Sequence, residues 1–430
     1  MYSLGWVFLV FGLTTGVTGQ GFNCTFEGNN LCGWTQSTID SYDLVLDSGG
    51  TASGNTGPRY DHTSGDTSGT YLHREANDRQ NGPDAVLLSP EVAYIMDQVY
   101  CFVFWYNMFG TDTGSLSVYA YPTDDGHDVS SKQPLFSISG QQTGQHAWLR
   151  AQVDVSNQTS NFTVAVELTT TSSAKSDIAI DDVELWLTDC PMQSTSFNCS
   201  FDDGPCGWIQ STDDDYNWAL ERERTRTDHT GPRFDHTTGD ATGLFYYIEG
   251  NDPSLNDKAV LLSPVISGSL TQDSWCLSFW YNMYGRDIAS LHAYVIPAGQ
   301  STNLGTQTPA FSVTGQQTGQ RLWIEALVDA TNQTSDFIVA LEAVAGSTKL
   351  TDIAIDDVTI SPELCMSDTD LSFSCNFEQG YCGWTQSTDD DVNLALERGQ
   401  TYSSSTGPSF DHTLGSKLEF LHTRSEDFVK

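Results

Sequence analysis

The sequence Ile-Ala-Ile-Asp-Asp-Val occurs at Ile178–Val183 and again, letter for letter, at Ile353–Val358. Each copy places two adjacent carboxylates in an apolar, β-branched stretch that is typical of a buried strand. Because side chains alternate between the two faces of a strand, Ile178, Ile180 and Asp182 should share one face if no bulge intervenes. A carboxylate beside two core isoleucines needs a partner, since a lone buried charge is very costly.

The rest of the chain repeats with the same period. Cysteines 24, 101 and 190 recur at 199, 276 and 365, and each difference is 175 residues (199 − 24, 276 − 101, 365 − 190). A period this long indicates tandem whole domains rather than a solenoid. We predict a signal peptide over 1–19, domains over 20–190 and 197–365, linkers over 191–196 and 366–372, and a truncated third copy over 373–430.

The hydrophobic pattern within each copy is that of β-strands. Leu116–Tyr121 and Phe162–Leu168 alternate or run β-branched and aromatic, and polar turn residues fill the gaps between such segments. We find no long amphipathic helix, so the pattern predicts an all-β sandwich of roughly ten strands per complete copy. The third copy lacks most of these strands, and we expect that it does not fold as an independent domain.

Charge and leader composition indicate an exported chain. The 430 residues carry a formal charge of −38, which disfavours binding to nucleic acid or to anionic membrane. The apolar stretch from Leu4 to Leu13, followed by small residues, is typical of a signal peptide. Later segments are too short or too polar to cross a bilayer, so we expect a secreted protein, unless sequence beyond Lys430 supplies a membrane anchor.

Ten cysteines fit an oxidising compartment. The third copy keeps only the first two cysteines of the pattern, which favours a self-contained pair there and the same pairing in the other copies. The predicted bridges are Cys24–Cys32, Cys101–Cys190, Cys199–Cys206, Cys276–Cys365 and Cys375–Cys382. Glycosylation sequons agree with export and lie at Asn23, Asn157, Asn161, Asn198 and Asn332.

Acidic residues recur at matching positions in the small disulfide loop, after the Thr-Gln-Ser-Thr or Ile-Gln-Ser-Thr motif, in the Asp-His-Thr motif and in the last strand. In the two complete copies they are Glu27, Asp40, Asp61 and Asp182, and Asp202, Asp214, Asp235 and Asp357. These oxygens could form one cluster that holds a structural Ca²⁺, or Na⁺ where charge is lower. The alternatives are turn caps or an ion pair with Arg59 or Arg233, and Arg59 could also neutralise Asp181.

Several motifs together resemble the MAM domain family, named for meprin, the A-5 protein (neuropilin) and a receptor tyrosine phosphatase. They are CTFEGNNLCGW from Cys24, GPRYDHT from Gly57, AVLLSP from Ala85, CFVFWY from Cys101 and IAIDDV, with matching stretches in the second copy. The resemblance covers nearly all of 22–365. It implies a jelly-roll sandwich of two antiparallel sheets, a non-catalytic extracellular role in adhesion or receptor assembly, and in some members a structural cation.

Catalytic motifs are weak by comparison. The chain has no Gly-x-Ser-x-Gly and no His-Glu-x-x-His, so we interpret His62 and His236 as residues that cap or pack a turn. We interpret the repeated Gly-Gln-Gln-Thr-Gly-Gln, at Gly140 and Gly315, as a surface turn.

These features lead to three hypotheses. The first is an extracellular adhesion or recognition protein that binds other extracellular proteins or itself. The second is the accessory region of a larger protease or receptor, and the third is a matrix glycoprotein that binds calcium loosely at many sites.

Overall fold

The computed structural model contains two β-sandwiches in tandem, followed by part of a third copy. We call the sandwiches module 1 and module 2. The structure describes residues 21–75, 84–171, 173–191, 197–250, 253–268, 274–300, 302–330, 333–363 and 365, and then 375, 377, 381, 384, 394–398 and 419–422.

Module 1 is built from eleven strands in the described part of the chain. They are β1 Asn23–Cys24, β2 Thr35–Gln36, β3 Val45–Asp47, β4 Tyr71–Arg74, β5 Asp84–Leu88, β6 Cys101–Phe109, β7 Ser115–Pro122, β8 Phe136–Ser139, β9 Leu149–Asp154, β10 Phe162–Thr169 and β11 Asp177–Trp186. One sheet has the order β3-β4-β11-β6-β9, with β1 also paired to β11, and the other has the order β2-β5-β10-β7-β8. Short 3-10 segments span Glu27–Asn29 and Thr123–Asp125.

Module 2 repeats this arrangement with ten described strands. They are β12 Ile209–Gln210, β13 Ala219–Glu221, β14 Phe245–Ile248, β15 Lys258–Leu262, β16 Cys276–Met283, β17 Ser290–Pro297, β18 Phe311–Thr314, β19 Ile324–Asp329, β20 Phe337–Val344 and β21 Ile353–Ser361. A 3-10 segment spans Leu304–Thr306. The sheets are β12-β15-β20-β17-β18 and β13-β14-β21-β16-β19, with all ladders antiparallel, as in module 1. The predicted all-β tandem sandwich is confirmed.

The two sheets of each module bury alternate residues of their central strands between them. In β6, Phe102, Phe104 and Tyr106 lie in the main core, whereas Trp105 packs on the outer face with Trp148. This alternation is the period-two pattern of a strand with one face in a sandwich core. Strands β6 and β11 pair at the centre of their sheet, so each covers the other's backbone groups.

Disulfides close both modules in the same way. Four bridges join pairs of described cysteines, and they are the predicted Cys24–Cys32, Cys101–Cys190, Cys199–Cys206 and Cys276–Cys365. The fifth predicted pair includes Cys382, which lies outside the described residues. In each module the long-range bridge joins the start of a central strand to the chain just after the last strand, so it closes the sandwich.

Consecutive modules touch each other. His146 of module 1 has its Nδ1 3.2 Å from Glu221 and its Nε2 3.7 Å from Glu223, both of module 2. The described residues of the third copy include a two-stranded sheet, β22 Ala395–Arg398 with β23 Glu419–His422, and Leu396 is buried against module 2. No helix within the described ranges is long and apolar enough to span a membrane.

Removing the two kinds of disulfide should cost different amounts of stability. The Cys101–Cys190 bridge spans 89 residues and the Cys24–Cys32 bridge spans 8. In the chain-entropy model the longer loop contributes about 5 kcal/mol and the shorter about 3 kcal/mol. We predict that C101S/C190S lowers the free energy of unfolding more than C24S/C32S, measured by denaturant titration. Equal losses would contradict this reading.

The contact between modules should depend on pH through His146. Burial lowers the pKa of His146, but the hydrogen bond and charge of Glu221 and the charge of Glu223 outweigh burial and Arg59, so its net pKa is raised. Tyr60 packs beside the ring at 5.9 Å. Because the folded pKa is raised, this stabilisation is complete below about pH 6.5 and is lost as pH rises through the folded value.

The matched substitution is His146→Arg, because Arg321 occupies the corresponding position in module 2. We predict that this variant shows a smaller fall in thermal midpoint between pH 6 and pH 8 than the parent, by about 2–4 °C for each kcal/mol retained. His127→Arg changes an exposed histidine of the same module and serves as the control. If both variants keep the parent's pH dependence, the His146 contact does not set it.

Candidate functional site

A β-bulge decides where the two aspartates of each Ile-Ala-Ile-Asp-Asp-Val motif point. The register of β11 against β6 shifts between Asp181 and Glu184, and Asp182 has a left-handed φ of 46°. Asp357 repeats this with a φ of 45°. The expectation that Asp182 shares the face of Ile178 and Ile180 held only for a strand without a bulge, and it does not apply because a bulge inserts an extra residue into this strand.

Asp181 lies on the face opposite Ile178 and Ile180, close to Asp61 of the Asp-His-Thr turn. Both aspartates are fully buried. Asp181 Oδ2 accepts a hydrogen bond from His62 N at 3.1 Å, and its Oδ1 accepts one from Asp182 N at 2.8 Å. Asp61 Oδ2 accepts one from Ser64 N at 2.5 Å, whereas Asp61 Oδ1 is buried without a partner among the described residues.

This pair of carboxylates is electrostatically frustrated. Burial, followed by the close approach of the Asp61 carboxyl group and the charges of Asp182 and Asp61, raises the pKa of Asp181 to about 9. In module 2 the same causes, with Asp235 and Asp357, raise the pKa of Asp356 to about 10. Two buried carboxylates this close cannot both be ionised without a counter-charge. The site must therefore take up either a proton or a cation near neutral pH.

Asp182 holds the Asp-His-Thr turn instead of entering the core. Its Oδ2 is 2.6 Å from His62 Nδ1, and its Oδ1 accepts a hydrogen bond from Thr63 Oγ1 at 2.7 Å. The His62 ring stacks on Trp105 with 3.9 Å between centroids. The turn-packing interpretation of the histidine agrees with this geometry, which recurs at His236.

The acid of the small disulfide loop lies near the same turn. Glu27 Oε1 accepts a hydrogen bond from Thr70 N at 2.9 Å, and Asp202 Oδ1 accepts one from Leu244 N at 3.0 Å. Burial raises the pKa of Asp202, and the charges of Asp235 and Asp357 add to this shift. A Cβ placed on Gly243 would lie 2.3 Å from Asp235 Oδ2 and 2.7 Å from Asp202 Oδ1. The loop acid and the turn acid therefore flank one glycine.

Asp40 and Asp214, which the sequence placed in the same cluster, lie elsewhere. Asp40 Oδ2 accepts a hydrogen bond from Val86 N at 2.6 Å, on the sheet that does not contain Asp181. Asp214 makes the same bond to Val260, and burial raises the pKa of Asp214 to about 7. These two aspartates tie the Gln-Ser-Thr loop to its neighbouring strand. Their matching positions in the repeat led us to assign these two aspartates to the cluster. A position in the repeat does not show which sheet a side chain approaches.

The proposed arginine partners do not neutralise the aspartates. Among the described residues no ion pair joins Arg59 or Arg233 to an aspartate, and the guanidinium of Arg233 lies over the Phe234 ring at 5.4 Å. Within the same residues, no three His, Cys, Asp or Glu side chains are already arranged to hold a metal ion. A cation at Asp61 and Asp181 would therefore need backbone oxygens or water as further ligands.

Four of the five predicted glycosylation asparagines lie at exposed positions, namely Asn23, Asn157, Asn161 and Asn198. Asn161 donates from Nδ2 to Glu91 at 2.9 Å, and Asn23 donates to Glu184 at 3.2 Å. Asn332 and the predicted signal peptide over 1–19 lie outside the described residues. Glycosylation and export stay predictions.

Sequence reasoning missed Asp181 and Asp356 as the buried members of the acidic pair. The available signal was the doublet itself, because strict alternation would send two adjacent carboxylates to opposite faces of one buried strand. A bulge is one way for a strand to keep both groups off the sandwich core.

Two disulfide-bridged, two-sheet β-sandwiches with a duplicated acidic turn define a class of extracellular-type module. The family model described as MAM domain, meprin/A5/mu, matches residues 24–191 and 199–366. The chain therefore belongs to the MAM domain family.

Several relatives carry the same family in their names. MAM domain-containing protein 2 of Mus musculus is 29% identical over 318 residues, which is 72% of this chain and 43% of the mouse protein. MAM domain-containing glycosylphosphatidylinositol anchor protein 2 of Rattus norvegicus is 38% identical over 181 residues, 39% of this chain and 18% of the rat protein. The chain thus spans less than half the length of these relatives, and neither name denotes an enzyme.

Among solved structures, the tandem CBM22-1–CBM22-2 domains of Paenibacillus barcinonensis Xyn10C align over 81% of this chain and 99% of that one. The TM-score is 0.25 at 12% identity. A likeness this weak carries no argument about ligand or function.

The close approach of backbone to the acidic pair makes Gly69 sensitive to substitution. A Cβ there would lie 2.2 Å from Asp61 Oδ2 and 2.7 Å from Ser64 Oγ. We predict that Gly69→Ala lowers the free energy of unfolding by about 1–3 kcal/mol, the usual cost of overpacking. Gly54→Ala is the control, because nothing lies within 4 Å of its Cβ position. Thermal unfolding measures both, and equal midpoints would show that the acidic pair tolerates displacement.

Proposed function

We propose that this chain is an extracellular, non-catalytic adhesion or recognition protein that contacts other extracellular proteins or a second copy of itself. The observation that supports this most is the tandem of disulfide-bridged MAM modules, because disulfide-closed sandwiches are typical of secreted and cell-surface proteins. The high negative charge keeps such a protein soluble and directs it towards basic or cation-bridged partners.

We further propose that each complete module holds a structural cation at its acidic pair. In module 1 the ligands would be Asp61 and Asp181, with Glu27 near them, and in module 2 they would be Asp235 and Asp356, with Asp202 near them; backbone oxygens or water would complete each set. The buried and unpartnered Oδ1 of Asp61, and of Asp235, supports this assignment. Carboxylate oxygens of this kind suit Ca²⁺, or Na⁺ at lower charge. A bound cation would let both carboxylates ionise.

The cation would fasten the beginning of a module to its end. Glu27 follows β1, Asp61 lies in the turn before β4, and Asp181 is in the last strand. Ligands so far apart in sequence make the ion a cross-link, comparable in role to the long-range disulfide. A cation that binds the native state but not the unfolded chain raises stability by mass action.

A calcium titration of thermal unfolding tests this proposal. We predict that excess Ca²⁺ raises the unfolding midpoint of the chelator-treated chain. At a hundredfold over the dissociation constant the gain is about 2.7 kcal/mol. The D61N/D181N variant should lose the module 1 part of this response.

The matched control is Asp40→Asn. It removes a repeated, half-buried carboxylate that the structure places beside the other sheet, so it should leave the calcium response intact even if basal stability falls. A midpoint that no cation shifts, in the parent chain, would mean that the acidic pair shares a proton and that the cation should be dropped.

Adhesion itself is tested by coating beads with the secreted chain. We predict clustering if the chain binds a second copy, or capture of coated beads by cells if the partner is a different surface protein. If neither occurs, the chain serves as a spacer between other parts of a larger protein.

That outcome would favour the second candidate, an accessory region of a longer secreted or membrane-anchored protein. The share of each relative that the chain covers, 43% and 18%, favours considering it. Sequencing the transcript beyond Lys430 distinguishes the two.

A further inference from the structure

The Gly-Gln-Gln-Thr-Gly turn of module 1, at 140–144, is held in shape by its own module. Gln142 Nε2 donates to Ser139 O at 2.9 Å, which closes the turn on itself. Met108 N, at the end of β6, donates to Thr143 Oγ1 at 3.0 Å, and Asn107 Nδ2 donates to Gly144 O at 3.0 Å. The Asn-Met pair that ends the Phe-Trp-Tyr strand therefore positions the turn before anything docks on it.

The outer edge of this turn pairs with a strand of the next module. Gly144 N donates to Leu220 O at 2.6 Å, and Leu220 N donates to Gln142 O at 3.0 Å, so Thr143 and Leu220 form a parallel bridge. Strand β13 thus gains hydrogen bonds from module 1 along the edge that its own sheet leaves unpaired. This is β-strand addition, in which backbone bonds supply affinity and side chains supply specificity.

The second junction repeats the first in register. Gly319 N donates to Leu396 O at 2.7 Å, and Leu396 N donates to Gln317 O at 3.4 Å, with a parallel bridge between Thr318 and Leu396. Each residue of this contact corresponds to its counterpart in the first junction. The pairing is therefore a property of the repeated sequences and not of one pair of surfaces.

Two side chains of module 2 reach across the first junction. Asn217 Nδ2 donates to Ser139 O at 3.3 Å and to Gln141 O at 3.1 Å. The Glu221 carboxylate lies over the other end of the turn, 3.2 Å from His146 Nδ1. The turn needs its glycines for this approach, because a Cβ on Gly144 would lie 2.2 Å from Glu221 Oε2.

We propose that the Gly-Gln-Gln-Thr-Gly turn is a docking site for the edge strand of a following MAM module, and that Asn217 and Glu221 are the residues that recognise it. The third copy carries Asn393 and Glu397 at the corresponding positions. The partner that fits the turn is thus a strand with the pattern Asn-x-Ala-Leu-Glu. The contact joins two different surfaces, so it propagates in one direction along an array.

Module 1 shows what an edge strand looks like without these residues. Asp43 and Asp47 replace the asparagine and the glutamate there. A carboxylate cannot donate to the two carbonyls that Asn217 contacts. Asp47 Oδ2 instead lies 3.5 Å from His73 Nε2 of its own module. Val45 is 45% exposed, whereas the corresponding Ala219, which packs against Phe245 and Tyr247 of its own module, is 1% exposed.

Hydrogen–deuterium exchange on the full chain tests the proposal. The amides of Gly144 and Leu220 donate only across the junction, so their protection reports its closure. We predict that N217D/E221D, which installs the module 1 residues, speeds the exchange of both amides by about tenfold or more, as expected for the loss of two or three hydrogen bonds. The amide of Val166, inside β10, should exchange at the parent rate.

The reciprocal variant D43N/D47E changes the same residue types away from the junction, so it should leave the Gly144 and Leu220 amides unchanged. If N217D/E221D also exposes the core of module 2, Gly144→Ala tests the same contact from module 1, with Gly54→Ala as its control. Selective loss of junction protection in either N217D/E221D or Gly144→Ala supports the proposal. Parent-like protection in a folded N217D/E221D and in Gly144→Ala would overturn it.

Discussion

The antiparallel pairing of the central strands β6 and β11 is the constraint on which the rest of each module depends. It covers the backbone of both strands over most of their length. The long-range disulfide begins at Cys101, the first residue of β6, and ends just beyond β11. The inner faces of the two strands supply much of the aromatic and branched core. A change that shifted this register would move the core, the acidic pair and the junction together.

The paired strands β6 and β11 position two different sites at separate places in the module. On the outer face, the bulge in β11 directs Asp181 towards Asp61 and leaves Asp182 to hold His62. At the end of β6, Asn107 and Met108 fix the turn that meets the next module. Both sites consist of polar groups that the strands hold rigidly. Rigid placement is what a cation site and a docking surface both need.

The acidic pair and the junction meet the cost of burying charge in different ways. Asp181 is buried beside another carboxylate, so the fold must leave one of them protonated or attract a cation. Glu221 is buried beside His146, so a protonated His146 supplies its counter-charge from the neighbouring module. The first arrangement is the basis for the proposed cation at the acidic pair, and the second is the basis for the predicted pH dependence of the contact between modules. Arg321 replaces the histidine in module 2, so we expect that pH dependence at the first junction and not at the second.

The sequence by itself determined the repeat, the all-β class and the four disulfides of modules 1 and 2, because each follows from spacing and period along one chain. Its motifs also indicated the family, by resemblance. It also identified Asp61 and the Asp-Asp doublet as chemically unusual. Only the tertiary structure decided that Asp181 is the buried member, because a bulge breaks the alternation on which the prediction rested. The structure also separated Asp40 from the cluster. It showed that the Gly-Gln-Gln-Thr-Gly turn at 140–144, which the sequence led us to interpret as a surface turn, forms the junction with the next module. Residues at equal positions in a repeat have the same neighbours along the chain. Their burial and their pairing depend on which sheet and which module pack against them, and those contacts come from residues distant in the sequence.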